Sequence, residues 1–532
     1  MKRKILALLL SALLLLLMAA CGNSQEASNN PPPASGPDQS GGKPAASESK
    51  DTLNIAITAD EGTLAIEYCT SGLYSAMAVV MEPLWDVDEE GNIIWTLAES
   101  VETPAEDRLI VHLRKDVKFS NGNPLTAEDV LFSIGLYKKA GVTGSARVQV
   151  IDPERTTAID DYTVNLQMFE PNVAQWQILS QFFIYDKESY DEATAATKPI
   201  GTGPYVVTEY VPNSHVKLER NENYWGKAPE FKYLNFSVLA EPSQRVNALV
   251  TGMVDIAPLA LEDVEYVRQL SGFNVDTRRT GYYLGLSFNL GAKSFFYHNL
   301  EARKAVVHAV QPEAIKNVVY LGLGEVMHAA VPDICFDFEE RFNNMDDTYK
   351  IGYNPQLAKD LAEESGLSGQ TVSLITNGTP EQIKAAEMIQ SMLKEINVNV
   401  EINNYDPATA WQLAYDPEAD YDMSILSGIT PNRVVGDQLV NGVRYSPTLT
   451  IPGAFENNEE YLARAPLTLS TLDDAKRSEL LYELLAEYES NVITYGLVNY
   501  LVANAFTKAI NPDSIIYSVG TGFIRFQDLT KG

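Results

Sequence analysis

The chain has 532 residues, with 71 Asp and Glu against 40 Lys and Arg, for a formal net charge of −31. That length is too great for one hydrophobic core and predicts two or three domains, while the 45% hydrophobic content is that of a globular chain and not a disordered one. The acidic balance excludes nucleic acid as a partner, because phosphate binding needs clustered Lys and Arg, and it suits a soluble surface protein.

Residues 1–20 open with Lys2, Arg3 and Lys4 and continue as an apolar run from Ile5 to Leu17. The run has the length of a signal-peptide core and is too short to span a bilayer comfortably. It ends Leu17-Met18-Ala19-Ala20-Cys21-Gly22, which resembles a bacterial lipobox. The resemblance implies cleavage before Cys21 and lipidation of its thiol, and two acyl chains hold a protein stably where one is marginal. Residues 21–50 are rich in Ser, Asn, Pro, Gly and Ala and read as a flexible tether, since they have too little apolar surface to offset ordering entropy. Lipobox plus tether is similar to surface lipoproteins of Gram-positive bacteria, with a periplasmic setting as the alternative. No other segment is apolar enough to cross a membrane.

The globular chain begins with an alternating strand, Leu53-Asn54-Ile55-Ala56-Ile57. Residues 108–114 read as a strand leading to an Asn121-Gly122 turn. Thr126 then caps a helix running to about residue 139. Asp129 completes a capping box, Leu125 and Val130 sit where a hydrophobic staple packs, and Gly141 ends the helix. The acidic pair Glu128 and Asp129 is explained by the helix dipole without catalysis. Gly201-Thr202-Gly203-Pro204-Tyr205 predicts a tight turn, its glycines supplying φ > 0 and Pro204 a fixed φ. Strands over 205–207, 215–218 and 234–238 follow, then a helix over 241–250 with Gly252 beyond it.

Residues 281–289 predict one long strand whose interior glycines permit bending. Helices are expected over 300–310, from Pro312 onward, and over the short stretch closed by Gly366. A strand over 372–376, a helix over 380–396 and a strand over 398–402 make a β-α-β unit, followed by a strand over 421–426. Thr471 is expected to cap a helix over 472–488 with Leu481, Leu484, Leu485 and Tyr488 on one face. Residues 496–506 predict a single return strand.

Catalytic constellations are missing from the sequence. It has no His-Glu-x-x-His, no Gly-x-Ser-x-Gly, no P-loop and no complete Gly-x-Gly-x-x-Gly, so an enzyme is not expected. The five histidines are scattered without ligand spacing, and His308, on an apolar helix, reads as a satisfied core or surface histidine. Cys-x-x-Cys is absent, and neither a metal site nor a cofactor is expected. Besides Cys21, the cysteines are Cys69 and Cys335, which read as two buried free thiols, with a disulfide as the alternative an exported location permits.

Four blocks carry a family resemblance: residues 113–133; the turn at 201–205 with Arg220-Asn221-Glu222-Asn223-Tyr224-Trp225; Gln244-Arg245-Val246-Asn247-Ala248-Leu249 ending in Gly252-x-x-Asp255-Ile256; and Tyr353-Asn354-Pro355 through Ala362. In order and spacing the chain resembles the family 5 extracellular solute-binding proteins, receptors for peptides, nickel or oligosaccharides that feed ABC importers. The resemblance covers roughly residues 51–510. It implies an α/β, two-lobed periplasmic-binding-protein-like fold of the large, three-subdomain type, with a hinge and an interlobe ligand cleft. Residues 51–285 and 500–532 would form lobe I, with an inserted subdomain at about 86–198, and 286–499 would form lobe II. The strand over 281–289 would be the first crossing between lobes.

By the same resemblance, the loop holding Tyr68, Cys69 and Thr70 would border the cleft, as would Ile429, Asn432 and Arg433. Here the chain departs from peptide receptors of the family. Ile429 stands where they have Trp, their Asp-Pro is missing, and the first nearby carboxylate is Asp437. Gln311-Pro312 also replaces a usual Asp-Arg pair, which changes a helix cap. Arg433 could grip a ligand carboxylate bidentately, with a solvated loop arginine as the alternative and Arg444 as a second candidate. The departure turns the expectation toward an acidic or N-blocked peptide, or a different solute. The implied function is a monomeric extracellular lipoprotein that captures a small solute, short peptides first, and delivers it to an ABC permease and ATPase complex. A ligand-sensing or pheromone-type receptor on the same fold, or a receptor for an oligosaccharide or chelated metal, stands as the alternative.

Overall fold

In the computed structural model, which describes residues 51–532 except 71, 140, 417, 431, 446–453, 456 and 519–521, strand Thr52–Ile57 lies inside a seven-stranded sheet. The spatial order is Phe273–Arg279, Leu501–Thr507, Ile256–Leu259, Thr52–Ile57, Tyr233–Val238, His215–Arg220 and Tyr205–Val211. Thr52–Ile57 runs parallel to both of its neighbours. Helix Pro242–Val250 supplies the crossover that joins those two neighbours on the same side. The alternation in the strand separates two layers. Leu53, Ile55 and Ile57 face one large apolar cluster, and Ala56 faces a second one with Val246, Leu249, Val264 and Val267.

All of the motif blocks but the one at 353–362, which packs into the second lobe, build this lobe. The turn at 201–205 does not use positive φ at its glycines, contrary to expectation. Its glycines are needed for close approach: a Cβ on Gly201 would stand 2.0 Å from the Val80 carbonyl oxygen, and one on Gly203 2.6 Å from that of Val79. The Asn221 side chain donates to the Gly203 carbonyl at 3.2 Å. Tyr224 and Trp225 donate to the two carboxylate oxygens of buried Glu82, at 2.7 and 3.0 Å. Burial raises the pKa of Glu82, and these two donors work against that rise.

Residues 98–167 include a four-stranded antiparallel sheet, ordered Ala98–Ala105, Arg108–Leu113, Thr163–Gln167 and Thr157–Asp160. Helix Ala127–Tyr137 packs with it, and the capping box forms: the Thr126 N–H donates to Asp129 Oδ2 at 2.8 Å. Glu128 pairs with Lys187 at 2.8 Å, so both acids have structural partners.

The second lobe is built on a six-stranded sheet in the order Glu325–Val326, Thr494–Asn499, Tyr282–Phe288, Met423–Ile429, Thr371–Thr376 and Asn399–Asn404. The expected β-α-β unit is present, with helix Pro380–Lys394 joining the parallel strands Thr371–Thr376 and Asn399–Asn404. Its core is a separate cluster containing Leu284, Leu286, Leu374, Ile389, Leu484 and Leu497.

Three expectations need correction. Strand Tyr282–Phe288 belongs wholly to the second sheet, so the first crossing is the Thr280–Gly281 link that follows Phe273–Arg279. The single return strand is two strands, Thr494–Asn499 and Leu501–Thr507, which lie in different sheets and break at Tyr500. The long late helix spans Asp474–Ser490 and is capped by Asp473, whose side chain accepts from the Lys476 N–H at 3.0 Å, in place of Thr471.

His308 is buried, and its Nδ1 donates to the Gly352 carbonyl at 2.7 Å, as a satisfied core histidine should. Cys69 and Cys335 are both free and buried. Among the described residues no helix is long and apolar enough to cross a membrane. The signal segment, Cys21 and the tether lie outside the described residues.

Candidate functional site

Between the two sheets lies a cavity of about 780 Å³. It opens where parallel strands of both sheets reach their carboxyl ends: Ile57 and Thr58, then Leu259 and Ala260, on one side, and Thr379 and Gln382 on the other. Carboxyl ends at a point where the chain changes direction are where open α/β sheets hold ligands. Both crossings contribute to the wall, Thr280 to Tyr282 on one strand link and Tyr500 on the other. Tyr500 stacks on Tyr320 with ring centroids 5.1 Å apart and on Tyr282 at 6.3 Å, so a column of three rings stands beside the hinge.

The wall is unusually cationic for so acidic a chain. Arg147, Arg245, Arg278, Arg279 and Arg433 line it, and its carboxylates are Glu89 and Glu381. Arg278 pairs with Glu89 and with Asp276 and lies over the Tyr517 ring, while Arg279 reaches Asp333 at 2.5 Å. The other three are satisfied differently. Arg147 donates to the carbonyls of Ile66 and Cys69 at 2.9 and 2.8 Å and covers Tyr74. Arg245 donates to the carbonyls of Pro258, Leu239 and Ala240 at 2.8, 3.0 and 2.6 Å. Arg433 donates to Ile334 O at 3.1 Å and to Glu89 O at 3.5 Å, above the Phe336 ring. Burial lowers the pKa of Arg245 and of Arg433.

Residues 92–442 match the family described as Bacterial extracellular solute-binding proteins, family 5 Middle. The chain belongs to that family. It is similar to the Dipeptide-binding protein of Escherichia coli (strain K12), 27% identical over 361 residues, covering 61% of this chain and 66% of the relative. The Nickel-binding periplasmic protein of the same organism is 25% identical over 414 residues, covering 69% of this chain and 77% of the relative. The crystal structure of the ABC transporter substrate-binding protein CtaP from Listeria monocytogenes superposes with a TM-score of 0.79 at 21% identity, over 91% of this chain and 100% of that one. The protein is therefore an extracellular or periplasmic solute-binding protein of an ABC importer, a receptor and not an enzyme, with the two-lobed α/β fold of its family.

The solute-binding protein distributes the expected site residues unevenly. Thr70 and Arg433 line the cavity. Tyr68 is 36% exposed and lies outside the lining, and Cys69 is buried behind it, its thiol donating to the Thr63 and Ala65 carbonyls at 3.4 and 3.5 Å. Burial pushes the Cys69 pKa up, so it is no thiolate. Asn432 is buried and donates to Asp437 Oδ2 at 2.5 Å, which takes it out of the lining. Ile429 ends its strand opposite Tyr282, and its side chain, like that of Arg444, lies outside the described residues.

Four lining arginines and the tyrosine column escaped the sequence reading. The pair Arg278-Arg279, next to Thr280-Gly281 at the end of a strand, is the signal that could have revealed two of them. Arg147 had none, because it sits in a short polar 3-10 turn, Thr143–Val148.

Proposed function

We propose that this solute-binding protein captures short peptides in the cavity between its lobes and presents them to the permease of its ABC importer, from a lipid anchor on Cys21. The observation that carries the reading is the cavity itself. Its volume is that of a small-molecule site, and both sheets and both crossings supply its wall, so a ligand there couples directly to the relative position of the lobes. The dipeptide-binding relative supports a peptide as cargo. In this reading the lobes divide at Thr280–Gly281 and at Tyr500, and hinge motion is absorbed there.

Native mass spectrometry of the protein beginning after Cys21, sprayed with and without denaturation, tests the proposal. A ladder of peptide masses seen only in the native spectrum is the expected result. A single non-peptide mass displaces the peptide reading in favour of another solute. The anchor is checked separately, by palmitate labelling that Cys21→Ala abolishes.

A further inference from the structure

The charge of the cavity wall identifies the class of peptide, an inference that rests on the receptor reading above. Arg278 and Arg279 spend their charge on Glu89, Asp276 and Asp333. Arg147, Arg245 and Arg433 make no ion pair among the described residues; their N–H groups end on backbone carbonyls. A carbonyl satisfies a donor but leaves the positive charge in place, and a cation removed from water without a counter-ion is costly.

Asp263 and Glu241 act on Arg245, and Glu89 on Arg433, against the burial that lowers each arginine's pKa, yet none of these acids forms an ion pair with either arginine among the described residues. Glu381 is exposed in the first turn of helix Pro380–Lys394. Glu67, close to Arg147, gives its carboxylate to the Tyr185 hydroxyl, and burial holds its pKa up. Tyr74 adds an independent sign. It lines the cavity at 2% exposure, and its buried hydroxyl has no hydrogen-bond partner among the described residues. A buried O–H without an acceptor, on a ring that the Arg147 guanidinium covers, describes a site shaped for oxygen anions.

We infer that the cargo is an anionic peptide, carrying two or more carboxylates whose charge the guanidinium groups of Arg147, Arg245 and Arg433 neutralise when the lobes are closed. A neutral peptide leaves the wall uncompensated, and a basic one adds to its charge. The side chains that decide among peptides of equal length are then arginines of both lobes, and Tyr74 donates to one of the ligand oxygens.

Isothermal titration of the protein beginning after Cys21 against three pools of short peptides, rich in Glu, Ala or Lys, and against tricarballylate tests this. The expected result is affinity for the Glu pool at least about tenfold above that for the Ala pool, no heat with the Lys pool, and a preference that shrinks as salt is raised. Equal affinity for the Glu and Ala pools, or binding of the Lys pool, overturns the inference while leaving a peptide receptor intact. Tricarballylate binding with every peptide silent overturns the peptide reading and upholds the anionic site. Silence toward all four ligands overturns both. Arg433→Gln is expected to cut affinity for the Glu pool about tenfold with little change for the Ala pool, and Arg433→Lys, which keeps the charge but not the planar fork, to fall between Arg433→Gln and the wild type. If Arg433→Gln melts early, Tyr74→Phe, which removes only the unpaired hydroxyl, is expected to lower affinity for the Glu pool and not for the Ala pool.

Discussion

A single buried acid shows how far one side chain can depart from its ordinary behaviour. Glu489 is fully buried in the second lobe, where one oxygen accepts from the Ala330 N–H at 2.8 Å and the other has no partner among the described residues. Burial raises its pKa from 4.5 to about 8. The folded protein therefore keeps Glu489 protonated at neutral pH, whereas the unfolded chain ionises it. Its contribution to stability is full below pH ~4.5 and declines as pH rises toward about 8, by at most about 1.4 kcal/mol per pH unit. Glu489→Gln keeps the acceptor and loses the titration. Melting curves at acidic and mildly alkaline pH should show the variant gaining on the wild type as pH rises; a constant difference refutes the assignment. The neighbouring sequence gives no hint of this, because Glu489 sits in a polar-looking helix and its burial is set by the tertiary packing of the second lobe. Arg433 was legible for the opposite reason: a cation stands where a familiar pattern has an acid. What the sequence could not show is that its guanidinium is already committed to two carbonyls.

Elements governed by local chemistry were legible, and those governed by distant partners were not. Thr126 and Asp129 form the box their spacing announces, since all of its groups lie within one turn. At the late helix the expected cap was Thr471, and the structure assigns the cap to Asp473, two residues further on. Asp473→Ala should cost about 1 kcal/mol in urea unfolding, whereas Thr471→Ala should leave the midpoint nearly unmoved. The reverse order would mean the helix starts earlier. The stretch from Gly496 to Phe506 reads as one strand because its apolar side chains continue without interruption. The break at Tyr500 is set by pairing with different sheets, to Tyr282–Phe288 before it and to Ile256–Leu259 after it, information that no window of local sequence contains.

At the scale of the molecule, a few polar contacts join the two lobes. The Val173 N–H donates to the Leu469 carbonyl at 2.8 Å, and Arg279 pairs with Asp333 at 2.5 Å. These are polar links of modest strength between the lobes. An exposed ion pair is worth about 0–1 kcal/mol, enough to shift a two-state population by up to about fivefold. Asp333→Ala should enlarge the radius of gyration of the ligand-free protein in small-angle scattering, with saturating ligand restoring the wild-type value. An identical ligand-free radius would show that this pair does not hold the lobes together. The two-lobed plan was legible from motif blocks at 113–133, 201–225 and 244–256, yet those blocks mainly build the first lobe, and of their residues only Arg245 and Ile256 reach the cavity wall. Glu82 with Tyr224 and Trp225, and the glycines pressed against Val79 and Val80, are scaffold. The cavity wall comes from residues such as Arg147, Tyr320 and Tyr500, which converge only through tertiary structure.

The order of strands in the first sheet also bears on how the protein is made. Strand Phe273–Arg279 has one neighbour, Leu501–Thr507, and that neighbour separates it from Ile256–Leu259. During export the earlier strand emerges long before its partner and has nothing to pair with until the whole second lobe has followed. The second lobe, continuous in the chain, can fold on its own schedule, but the first can finish only afterward, through contacts of very long sequence separation. An unpaired strand edge exposed for that interval invites pairing with another nascent chain. The step most exposed to misassembly is therefore the late insertion of Leu501–Thr507.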